Sequence, residues 1–156
     1  MNELFKTNLK YQYNTIEVMV SELDNQFIIN RFKTSKWSIH ENLAHLGRYQ
    51  EIFNDRVDTI LNENEPHFER YNAEKDAKFI EWSKRDSFEI IKQTKKDRDL
   101  IVRKILRLNE LQLTRIGFHP KLKKMKLKNW IEFFILHENH HLYTMFLLIH
   151  EFKAGE

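Results

Sequence analysis

A chain of 156 residues, 31% charged and 41% apolar, is long enough for one domain with a substantial core. Its net charge of +3 is too small to argue for nucleic acid, and the absence of Cys excludes disulfides, zinc–thiolate centres and cysteine nucleophiles. No apolar run approaches the roughly 18–20 residues that span a bilayer, and Met1–Asn8 has no signal-peptide core, so one cytoplasmic domain over residues 1–156 is expected.

Three Gly and two Pro leave few turns, which favours long helices. The first helix is expected over Asn2–Asp24, with Leu4, Leu9, Ile16, Val20 and Leu23 on its apolar stripe. A connection follows through Asn25–Trp37. Ser38-Ile39-His40-Glu41 is a capping-box signature, and it opens a second helix to Asn62. Ile39, Leu43, Leu46, Phe53, Val57 and Ile60 form that helix's stripe. Asn62–Lys75, with Pro66, reads as a long crossover.

The third helix is expected over Ala77–Asn109, with a break near Ser83 and a stripe including Phe88, Ile91, Ile101, Ile105 and Leu108. A connection over Leu111–Lys124 holds Gly117 and Pro120. The fourth helix, Met125–Phe152, is apolar almost all round, which marks the most buried element. Lys121, Lys123, Lys124, Lys126 and Lys128 lack the interleaved aromatics that stack bases. They read as a solvated loop and helix start, with anion attraction the lesser reading. The expected fold is all-α, a four-helix bundle with long crossover connections.

The chemistry concentrates in histidine. His137 and His141 stand four apart, on one face of the fourth helix, one turn from each other. They share a narrow stripe with Trp130, Phe134 and Leu148, aimed at the interior. His45 lies on the second helix, angularly between Tyr49 and Ile52. Three neutral imidazoles converging in a bundle can hold one divalent ion and leave positions open. The plainer reading is three buried histidines, each met by a local hydrogen bond. His140 projects about 60° from His137 and is a candidate supporting group. His40, in the first turn of its helix, is expected to be solvated. His67, His119 and His150 lie in connections or near an end.

His137-Glu138-Asn139-His140-His141 also matches the H-E-x-x-H zinc-protease motif, with Glu138 as general base. Only fifteen residues follow, Leu147 stands where a third ligand would be, and no segment reads as an edge strand for a peptide. The protease reading is set aside on those grounds.

Trp37-Ser38, Glu41-Asn42-Leu43-Ala44-His45-Leu46, Arg115-Ile116-Gly117-Phe118-His119-Pro120, and Trp130 to Tyr143 together resemble the DinB-like superfamily, which includes YfiT-type metal-dependent thiol transferases. The resemblance spans nearly the whole chain. It implies a four-helix bundle whose His45, His137 and His141 bind zinc or nickel, and it implies a homodimer. One departure is the start of the fourth helix: Met125-Lys126 stands where the family often has Thr or Ser.

The leading expectation is therefore a metal-dependent transferase that activates a small thiol, since a coordinated thiol is deprotonated and the thiolate is the nucleophile. The alternatives are a metal-dependent small-molecule hydrolase and a non-catalytic metal- or ligand-binding stress protein. The pocket is expected near Tyr49 and the Trp130–His137 face, lidded by the Trp37 or His119 connections. No catalytic side chain is assigned, and neither nucleic acid nor membrane is expected as a partner.

Overall fold

The computed structural model describes residues 2–33 and 36–153. In chain order it contains α1 (Glu3–Tyr11), α2 (Asn14–Val20), α3 (Asn25–Ile29), α4 (Ile39–Asn62), a 3-10 turn at Ala73–Lys75, α5 (Ala77–Trp82), α6 (Ser87–Leu106), α7 (Glu110–Leu113), β1 (Ile116–His119), β2 (Lys123–Lys126) and α8 (Leu127–Lys153). The bundle's four legs are α1 with α2, then α4, α6 and α8. α4 packs on both α6 and α8, and α1 packs on the same two helices.

Local chemistry sets the helix starts. Ser38 Oγ accepts from Glu41 N–H while the Glu41 carboxylate accepts from Ser38 N–H, completing the capping box of α4. Asp86 caps α6 by accepting from the Phe88 and Glu89 amides, which accounts for the break after α5. At Gly47 of α4 a Cβ atom would sit 2.3 Å from the Trp82 ring, so only Gly allows α4 and α5 to approach this closely.

Several expected boundaries shift. The first helix is interrupted at Gln12–Tyr13, where both side chains bond across the bundle: Gln12 to the Ile135 carbonyl and Glu138, Tyr13 to the Ile91 carbonyl. The 25–37 connection contains α3, capped by Asp24. The third leg ends at Leu106 rather than Asn109, and Asn109 instead caps α7. The expected 111–124 connection, with the first two residues of the expected fourth helix, forms an antiparallel hairpin in the register Ile116↔Lys126 and His119↔Lys123, so that helix starts at Leu127 rather than Met125. Its lysine-rich β2 discourages further strand pairing. Arg115 fastens the hairpin to the end of α4, donating to the Ile60 and Glu63 carbonyls at 2.6 and 2.5 Å. Leu127 N–H donates to the Arg115 carbonyl at 2.7 Å, so the hairpin backbone meets one of the first-turn donors that α8 cannot satisfy within itself.

The apolar stripes need three corrections. Leu4 and Phe88 are exposed, because each lies outside the arc its helix turns inward. α8 is not buried all round: Leu136, Tyr143, Phe146 and Leu147 are exposed on its outer side.

The core falls into two apolar clusters, one around Leu43, Trp82, Ile90 and Met145, the other around Phe53, Ile101, Trp130 and Phe134. On α8 the boundary between them lies between Ile135 and Leu142, and on α6 between Ile91 and Ile101. Buried polar side chains occupy that belt: Gln50, Arg98, Glu138 and His141. The site grows out of this belt.

Candidate functional site

His45 on α4 meets His137 and His141 on α8. Each offers a ring nitrogen, all within 4.8 Å of one another, and Nε2 of His45 lies 3.2 Å from Nε2 of His137. Ligands at about 2.0–2.1 Å around a tetrahedral zinc ion are about 3.4 Å apart, so this separation suits one edge of such a site.

Electrostatics suit a cation equally well. Burial pushes the pKa of His45 down to about 2, of His137 to about 3 and of His141 to about 4, and neighbouring imidazoles deepen each depression. All three rings are therefore neutral near pH 7, the form that ligates metals. Asn42 fixes one of them. Its Oδ1 accepts only, so His141 Nδ1, 2.8 Å away, carries the proton and the Nε2 lone pair is left for a ligand. Asn42 is held in turn by its Nδ2, which donates to the Ser38 carbonyl at 2.8 Å. The Nδ1 atoms of His45 and His137 are buried with no hydrogen-bond partner among the described residues. Buried imidazoles are costly when their polar atoms go unmet. The Nε2 atoms of His45 and His137 face one another instead, and a divalent ion held there would leave the proton of each ring on Nδ1; the three-imidazole donor set fits such an ion.

The cluster opens onto a cavity of about 1160 Å³. Trp37, half-buried, packs its ring 5.0 Å from His45, and Tyr49 packs 4.1 Å from His137. His119 also lines the cavity. Its Nδ1 accepts from the Lys121 and Leu122 amides, so its proton sits on Nε2. Burial, together with the Arg56 and Lys121 charges, lowers its pKa. Trp130 does not line the cavity. It is buried behind it, with its indole N–H toward the Gly117 carbonyl and its ring 5.3 Å from His119. His140 is exposed, with its ring 5.3 Å from that of His141. His40 is not solvated as expected: Nε2 is 2.9 Å from the Ser83 carbonyl and Nδ1 2.7 Å from Ser87 Oγ, tying α4 to the α5–α6 junction.

Glu138 settles the protease motif. Only 1% exposed, it points away from the histidines and ion-pairs with Arg98, itself 1% exposed. Gln12 donates to its second oxygen. Burial pushes its carboxyl pKa up and Arg98 opposes that shift. A carboxylate so enclosed cannot reach a substrate at the cluster. The hairpin supplies strands the sequence reading lacked, so the case against a protease rests on Glu138.

Sequence reasoning missed Asn42, Arg56, Tyr71 and Phe133, all at or beside the site. Two carried a signal. Asn42 stands three residues before His45, and Arg56 eleven after it, within about 20° on the helix. Tyr71 sits on the crossover, where no periodicity operates.

The model of the DinB superfamily matches residues 9–145. No curated protein matches the chain. Among solved structures, YfiT from Bacillus subtilis, described as a probable metal-dependent hydrolase with an unusual four-helix bundle topology, superposes with a TM-score of 0.80. The match covers 96% of this chain and 86% of that one at 16% identity, and shows a shared fold.

Proposed function

The chain belongs to the DinB superfamily, and from that premise we propose a metal-dependent enzyme acting on a small molecule, with His45, His137 and His141 holding one divalent ion, zinc or nickel. The observation that carries this reading is the cluster itself: three neutral imidazoles with ligand atoms within 4.8 Å, lining a roomy cavity. A bound ion would supply positive charge that lowers the pKa of a thiol or water presented there.

The chain's own residues prepare the site. Asn42 selects the ligating tautomer of His141. Trp37, Tyr49 and Phe133 wall the cavity with aromatic surface against which an apolar part of a substrate can pack. His119 carries an N–H at Nε2 that can donate to a substrate oxygen.

We favour transfer of a small thiol. The chain has no cysteine, so a sulfur nucleophile must arrive with the substrate. YfiT's description as a metal-dependent hydrolase supports a second reading, attack by water in the same cavity. Titrating cobalt-loaded protein with cysteine or glutathione separates them. A new sulfur-to-metal absorption band supports transfer, and no band together with hydrolysis of model amides or esters supports the second reading. We further propose a homodimer. Leu136, Tyr143 and Leu147 recur at helical spacing on the exposed side of α8, an apolar stripe that a second copy would cover. Among the described residues no helix is long and apolar enough to cross a membrane.

A further inference from the structure

Among the described residues, Arg56 is a buried charge with no ion-pair partner. It is only 9% exposed, and its side chain lines the same cavity as the histidines. Its guanidinium cannot discharge by losing a proton. It donates to Tyr49 Oη and to the Glu69 carbonyl, both at 3.3 Å, which occupies two of its five N–H donors. Tyr49, Phe68 and Trp130 pack around it at 6.0, 5.6 and 5.5 Å from ring centre to guanidinium carbon. Aromatic faces offset part of the desolvation of a cation, but they add no negative charge. No carboxylate among the described residues forms an ion pair with it. The acidic groups that line the cavity, Glu69 and Glu74, are exposed.

The other buried arginine shows what is missing. Arg98 is paired with Glu138 and also bonded to Gln50 and the Leu9 carbonyl. A buried charge lacking such a partner is costly unless a ligand brings one. Tyr49 joins this cation to the histidine cluster. Its ring centre is 4.1 Å from that of His137 and 6.0 Å from the guanidinium carbon, so that carbon is no further from the His137 ring than the two distances together, about 10 Å.

We infer that Arg56 is an anion-binding element of this cavity, and that the substrate is a small organic acid whose carboxylate pairs with Arg56 while its reacting atom lies at the histidines. This deepens the proposed function and rests on the cavity being its substrate site. Arg is suited to the role because its planar fork meets a carboxylate with two hydrogen bonds.

The test uses metal-free protein first. Hexanoate and hexan-1-ol share chain length and differ in charge. Calorimetry should show hexanoate binding about tenfold to a hundredfold more tightly, and Arg56→Met should reduce that ratio to near one. The cobalt-loaded protein is then titrated with 6-mercaptohexanoate and 6-mercaptohexan-1-ol, where the same preference should appear in the charge-transfer band. Equal binding of acid and alcohol by the wild-type protein, or no binding of either, overturns the inference even if the variant fails to fold. An unchanged preference in Arg56→Met overturns it as well. If the carboxylate preference holds while neither thiol produces a band, the anion site stands and the thiol reading falls.

Discussion

His137 and Glu138 are neighbours in sequence and open opposite sides of one buried polar belt. On Glu138's side every polar group is met: Arg98 bonds Glu138, Gln50 and the Leu9 carbonyl, while Gln12 bonds Glu138 and the Ile135 carbonyl. On His137's side, among the described residues, two ring nitrogens have no hydrogen-bond partner and Arg56 has no ion pair, yet this is the side that opens to a cavity. A closed network specifies how helices pack. An open one is tolerated where a ligand completes it.

The comparison predicts that the two sides break differently. Glu138→Ala leaves Arg98 as an uncompensated interior charge and should cost about 3–5 kcal/mol in urea unfolding; a loss below about 1 kcal/mol would mean the pair behaves like a surface contact. On the histidine side the loss should depend on metal. Saturating zinc or nickel, at about a thousand times its dissociation constant, should add about 4 kcal/mol of stability, and His141→Ala should remove most of that increment. Equal melting temperatures with and without chelator would contradict this.

Acid should act on the same side. The native pKa values of about 2 to 4 lie below the ordinary 6.5, so the unfolded chain takes up protons that the native rings refuse. Stability is therefore full above pH 6.5 and falls as pH drops from there toward 4, by up to about 1.4 kcal/mol per pH unit per histidine. The matching His→Ala variants should show a shallower slope in pH-dependent unfolding. A smaller effect belongs to Asn42→Leu, which releases His141 Nδ1 and should weaken metal binding about 10- to 100-fold; unchanged affinity would show that the tautomer is set elsewhere. Smallest of all, Tyr143→Glu on the outer stripe of α8 should shift a dimer to monomer by light scattering without altering metal content.

Much of the fold was legible because helix signals are local. The Ser38 capping box, the break near Ser83 and the α4 stripe follow from residues within a turn or two of one another. The hairpin was not legible: its strands are four residues each, and Arg115 anchors it to carbonyls more than fifty residues earlier. The three histidines were readable as a set, since His137 and His141 share a helix face, His45 lies beside the core stripe of its own helix, and the family resemblance pointed to the same three. Arg56 was hidden because an arginine on a stripe normally reaches out to water, and only the assembled aromatic surround shows that this one does not. The Arg98–Glu138 pair joins α6 to α8, and neither residue is unusual in its own helix.

The central claim is one divalent ion held by three histidines, and metal stoichiometry tests it most directly. Protein purified without a metal-affinity column and reconstituted with Zn, Ni or Co should hold about one ion per chain by elemental analysis, while His45→Ala, His137→Ala and His141→Ala should each hold far less. A wild-type protein that takes up no metal, or one whose uptake all three substitutions leave unchanged, would contradict the account.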